Sequence, residues 1–237
     1  GTDSEITTVG YYCNPIQYAE HRKTLENVIC TAGKFGATHV STFAGAWEGK
    51  PVESAYEEFG KVFRELADLA EEKGVKLGIE NCLMDGTWEH ATCNIGFNPK
   101  AWEVMFEEVK NDNFGLEWEP THQMVQLIDP VTELRKWCKK IVHIHGKDAT
   151  IDWDAVRHSG ISGAVPFVWH RMPGFGDTNW RDIISILRSN GYEDDICIEG
   201  YHDPVYSGEL EMTGQLHALN YLKWCRGGDF TQTPWEK

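Results

Sequence analysis

Apolar and polar positions alternate along the chain in a way that divides it into strand and helix segments. Ile6–Tyr12 is β-rich, and helical spacing follows from about Ile16 to Phe35. Thr38–Phe43 reads as a second short strand. Ala55–Lys73 (AYEEFGKVFRELADLAEEK) places apolar residues on one helical face and stops at Gly74, a residue suited to a left-handed helix end. Val75–Ile79 is the third strand, and Pro99–Val109 is its helix, with proline in the first turn. Phe114–Trp118 leads to a helix near Pro130–Lys139. Ile141–His145 leads, after a long loop, to Trp180–Ser189, and Ile196–Ile198 leads to Glu209–Trp224.

Six strand-then-helix units in strict order imply a parallel sheet covered by helices, read here as one α/β domain over residues 1–237. No glycine-rich phosphate loop opens a helix, which argues against a nucleotide-binding doubly wound sheet. The polar residues point instead to a TIM-type (β/α) barrel. Four successive strands end in Glu80-Asn81, Glu119-Pro120-Thr121-His122, His145-Gly146-Lys147-Asp148 and Glu199-Gly200-Tyr201-His202. Barrels place their chemistry at the C-terminal ends of successive strands.

Three carboxylates and one imidazole at one mouth would repel each other without a cation, so a divalent metal accounts for them simply. The expected ligands are Glu80, Glu119, His145 and Glu199. A set of three oxygens and one nitrogen suits Mn²⁺, the expected ion, with Mg²⁺ or Co²⁺ also compatible. His143 and His145 alternate onto one strand face. His145 lies nearer the strand end and is the expected ligand. By the same reasoning Glu119 is preferred to Glu117, which is left to orient a ligand or a substrate hydroxyl. Tyr12, Trp47 and Trp169 are aromatic strand-end and loop residues that could pack against the flat face of a ligand.

Composition narrows the partners. The 37 acidic and 22 basic residues give a formal net charge of −15, the wrong sign for a nucleic-acid surface. No apolar run approaches the roughly 20 residues of a membrane span. The 7 cysteines have no close pairs of the zinc-ribbon kind, so reduced thiols in a cytoplasmic protein are expected. No signal peptide is visible, and the Gly-Thr-Asp-Ser start reads as a processing or cloning remnant.

The segments "GIEN", "LEWEPTHQ", "HIHGKDA", "RMPGFGDTNW" and "CIEGYHDP", in this order, resemble the sugar phosphate isomerase/epimerase superfamily, the xylose-isomerase-like TIM barrels. The resemblance runs from "GYYCNP" to "ALNYLKW". It implies that Glu80, Glu119, His145 and Glu199 hold one divalent cation, although the position of Glu119 is commonly Asp in the family. It also implies that His122, Lys147 and Arg171 serve a small sugar substrate, and that Glu80 and Glu199 act as proton carriers. The expected activity is metal-dependent isomerisation or epimerisation of a sugar or keto-sugar through an enediolate. The alternatives are a lyase acting on a 3-keto glycoside and a non-catalytic sugar-binding barrel; a repair-type nuclease is disfavoured by the charge. Family barrels have eight strands, and counting back from Glu80 and Glu199 leaves the first two βα units without a counterpart. A homo-oligomer covering the strand edges at that gap is therefore expected.

Overall fold

The computed structural model describes residues 4–228; the Gly-Thr-Asp start and residues 229–237 lie outside it. Six parallel strands form one sheet in the order β1 (Thr8–Gly10), β2 (His39–Thr42), β3 (Lys76–Glu80), β4 (Phe114–Trp118), β5 (Ile141–Gly146) and β8 (Cys197–Ile198). The helices between them are α1 (Ala19–Ala32), α2 (Tyr56–Lys73), α3 (Pro99–Glu108), α4 (Pro120–Met124), α5 (Pro130–Trp137), α6 (Trp153–Ser159), α7 (Trp180–Ser189) and α8 (Glu211–Arg226). No described helix is long and apolar enough to cross a membrane.

Helix boundaries follow local chemistry. α2 ends where Gly74 adopts φ 70° and its N–H bonds back to Ala70 and Glu71. Asn98 and Asp129 cap α3 and α5, each followed by proline at the first helical position. The outer face of the sheet packs on the helices through aromatics. Phe59 and Phe63 of α2 stack at 4.6 Å, and both lie against Phe114 of β4, which Phe106 of α3 also meets.

The long loop expected after β5 contains structure. β6 (Asp148–Ile151) and β7 (Val168–Arg171) form an antiparallel hairpin outside the main sheet, with α6 between them. Each strand is four residues long and their connection is far from a two-residue turn, so the usual hairpin signal is missing. α4 is also new relative to the sequence reading. It is a single turn opened by Pro120, too short for periodicity to reveal.

The sheet curls so that residues on β1, β2, β4 and β5 meet inside it. Ser41 of β2 reaches across β3 to Glu117 of β4, because Gly78 puts no side chain in the way. A bulge between β4 and β5 brings Val142 against the inner face. There a Cβ on Gly115 would collide with it and with the Lys140 carbonyl. Among the described residues the outer strands β1 and β8 share no backbone ladder. Their leading ends are nonetheless joined, since Thr7 Oγ1 donates to Asp195 Oδ2 at 2.8 Å.

Candidate metal centre

β3, β4, β5 and β8 are neighbours in the sheet, so their C-terminal ends lie side by side. Glu80 is the last residue of β3, Glu119 lies between β4 and α4, His145 is in β5, and Glu199 follows β8. One ligand atom from each lies within 4.8 Å of the others. The focus is His145 Nδ1, 3.0 Å from Glu80 Oε1, 3.2 Å from Glu199 Oε2 and 3.6 Å from Glu119 Oε2.

The donor set fits a cation. Both carboxylate oxygens of Glu119 and Oε2 of Glu199 are buried without a hydrogen-bond partner. Buried charges left this way are costly, and a metal would satisfy them together. Burial, and then the neighbouring carboxylates, push the Glu119 carboxyl up to about 8. Burial also raises Glu80. Burial opposes protonation of His145, but the four glutamates around it win and hold its pKa far above the ordinary value. The imidazolium supplies positive charge to the carboxylates around it. The geometry therefore suits one divalent ion with Nδ1 of His145 as the nitrogen ligand.

Glu117 organises the layer beneath. Its carboxylate accepts from Tyr12 Oη at 2.8 Å, Ser41 Oγ at 2.6 Å and His143 Nδ1 at 2.7 Å, and His145 Nε2 lies 3.2 Å away. Burial works against its charge, but His143 and His145 outweigh that and hold the carboxyl at about 2. Because this carboxylate only accepts, the Nε2 N–H of His145 faces it and Nδ1 is turned toward the three upper glutamates. Tyr12 thus has a polar partner inside the barrel. No spacing rule in the sequence joins Tyr12, Ser41 and Glu117, which lie on the segment after β1, on β2 and on β4.

The other expected residues divide. His122 Nε2 sits 3.3 Å from Glu119 Oε1, and Lys147 Nζ lies 3.0 Å from Glu199 Oε1 and 3.8 Å from Glu119 Oε1. Burial, then Lys147, depresses His122 to about 3, so its ring is neutral. Arg171, at the end of β7, is tied elsewhere: its Nε donates to Asp203 Oδ2 at 3.3 Å and its guanidinium lies over the Phe175 ring. Trp169, on the same strand, is exposed. Two aspartates that the sequence did not single out hold the loops at this rim. Asp148 accepts the N–H groups of Ala149, Gly174, Gly176 and Thr178. Asp203 accepts those of Met172, Val205 and Tyr206. A Cβ on Gly176 would run into the Asp148 carboxylate, so this turn requires glycine.

The family model described as a xylose isomerase-like TIM barrel matches residues 3–223. The chain belongs to that family. Among curated relatives of this xylose isomerase-like barrel is an inosose dehydratase from Clostridium tetani, 26% identical over 182 residues. The match takes in 75% of this chain but spans only 57% of the length of that relative. A xylose isomerase domain protein from Planctomyces limnophilus superposes with a TM-score of 0.71 at 18% identity, covering 94% of this chain and 76% of that one. The IOLI protein, crystallised with a zinc atom, gives 0.69 at 20% identity over 96% of this chain and 77% of that one.

Proposed function

We propose that this barrel is an enzyme that removes a proton next to the carbonyl of a small keto-sugar or related polyol, using one divalent cation held by Glu80, Glu119, His145 and Glu199. The observation that carries the reading is the meeting of Glu80, Glu119 and Glu199 around His145 Nδ1, with three buried carboxylate oxygens left without a hydrogen bond. When bound, the cation polarises the carbonyl and stabilises the charge of the enediolate. Glu80 and Glu199 reach the site from separate strands, so one can take the proton and the other return it. Lys147 holds Glu199 in place and, with His122, offers hydrogen bonds to substrate oxygens. Arg171 serves from the rim, positioned through Asp203.

Return of the proton to the same or the neighbouring carbon makes the enzyme an epimerase or isomerase, the outcome this pair of glutamates favours. Loss of a group β to the carbonyl makes it a lyase. The Clostridium tetani relative, an inosose dehydratase, supports that second reading, which extends to cleavage of a 3-keto glycoside. Incubation of Mn²⁺-loaded protein with a panel of ketoses, inososes and 3-keto glycosides in deuterated water separates the outcomes. Deuterium entering a recovered isomer or epimer supports proton return; release of water or aglycone supports the lyase. Binding of a ketose with no exchange and no release would leave only a sugar-binding barrel.

A further inference from the structure

A second set of metal-type donors lies below the glutamates, at the end of the barrel where the strands begin. His143 Nε2 is 3.3 Å from Cys197 Sγ, and Cys197 Sγ is 3.3 Å from Asp195 Oδ2. One donor atom from each residue falls within 4.8 Å of the other two. We propose that His143, Cys197 and Asp195 form a second, sulfur-containing site for a zinc-class divalent ion, distinct from the oxygen-rich centre above.

The orientation of the donors supports the assignment. The Glu117 carboxylate accepts from His143 Nδ1, which turns the opposite ring nitrogen, Nε2, toward Cys197 Sγ. Asp195 Oδ2 accepts from Thr7 and also faces Cys197. An imidazole nitrogen, a sulfur and a carboxylate oxygen are a donor set that one zinc-class ion can hold together. The spacing suits it: ligands at about 2.0–2.3 Å from a tetrahedral zinc stand roughly 3.3–3.6 Å apart.

The surroundings are those of a metal-bound histidine. Glu117 backs His143 as a carboxylate backs a zinc-ligating imidazole. A second buried histidine, His39, has its ring centre 5.8 Å from that of His143, with its Nε2 3.5 Å from Asp194 Oδ2. The site would also have a structural effect. β8 is two residues long and pairs only with β5, yet it carries Glu199 at its far end. An ion bridging His143 of β5 to Cys197 of β8 would pin that strand where backbone pairing is weakest.

Cobalt(II) distinguishes this site from the upper one, because only a thiolate ligand gives a sulfur-to-cobalt charge-transfer band in the near ultraviolet. Titration of metal-free protein should produce the band. Cys197→Ser should abolish it, and Asp195→Asn, which removes a ligand charge, should weaken cobalt binding at this site by at least the roughly tenfold that loss of a supporting group costs. The band should persist in Glu119→Gln, which empties the upper centre, and in Cys82→Ser, the thiol nearest Glu80 and His122. In Glu119→Gln, zinc should still raise the thermal midpoint. An absent band would mean that His143, Cys197 and Asp195 satisfy one another without metal, and the proposal would fall. A band lost in Cys82→Ser but retained in Cys197→Ser would place the sulfur in the upper centre and overturn it equally.

Discussion

Asn81 completes the backbone pairing of Glu119: its Oδ1 accepts from Glu119 N at 2.7 Å and its Nδ2 donates to Glu119 O at 2.9 Å. The β3–β4 ladder ends at the Glu80–Glu117 pair, and this fully buried side chain continues it for one more residue. Glu119 is thereby held beside Glu80. Asn94 does the same work between β2 and β3. Its Nδ2 donates to the carbonyls of Glu80 and Cys82 while its Oδ1 accepts from Ala44 and Gly96.

Replacing Asn81 with alanine should therefore act on the metal centre without touching a ligand. Two buried backbone groups lose their partners, at about 1–3 kcal/mol each. Chemical denaturation should show that loss, and Mn²⁺ affinity should fall by about tenfold or more, as for other supporting groups. Unchanged Mn²⁺ affinity would mean that Glu119 is placed by something else.

Glu119→Gln should move stability in opposite directions with and without metal. In the metal-free protein the change removes a buried carboxylate that burial and two neighbouring glutamates disfavour, so the thermal midpoint should hold or rise. With metal, wild type should gain about 2.7 kcal/mol at a hundredfold excess over Kd, and the variant far less. Thermal melts with and without Mn²⁺, and after chelation, test this. Equal metal stabilisation in both proteins would remove Glu119 from the ligand set.

Glu199→Gln should lower turnover by about a hundredfold or more, because it takes away a proton carrier and a ligand charge together. The circular dichroism spectrum should be unchanged. Wild-type turnover in this variant would show that the proton is handled by another group.

Asp203 gives a pH dependence away from the metal centre. Burial works against its charge, but the N–H groups of Tyr206, Met172 and Val205 and the Arg171 guanidinium prevail and hold it below the ordinary 3.8. A carboxyl lowered on folding stabilises fully above its unfolded value, and that stability is lost as pH falls through the folded one. Acid unfolding should thus steepen below about pH 4 in wild type and flatten there in Asp203→Asn. Identical acid limbs for the two proteins would show that this anchor contributes nothing.

Much of the molecule could be read along the chain because its signals are local. The α2 face repeats at helical spacing and ends on Gly74, Pro99 and Pro130 mark helix starts, and the strands are short apolar runs. That Glu80, Glu119, His145 and Glu199 converge was legible for the same reason, since each sits at or just beyond a strand end, and parallel strands bring their ends to one rim. What joins distant segments was not. Tyr12 and Ser41 meet at Glu117, Thr7 joins Asp195, and Cys197 faces His143, pairs up to 188 positions apart along the chain. Sequence periodicity fixes which face of a strand a residue takes, but only the curl of the sheet decides which inward residues come within hydrogen-bonding distance. The β6–β7 hairpin and the Asp148 and Asp203 anchors belong with these. They depend on backbone N–H groups from far along the chain converging on one carboxylate, and no local pattern records that.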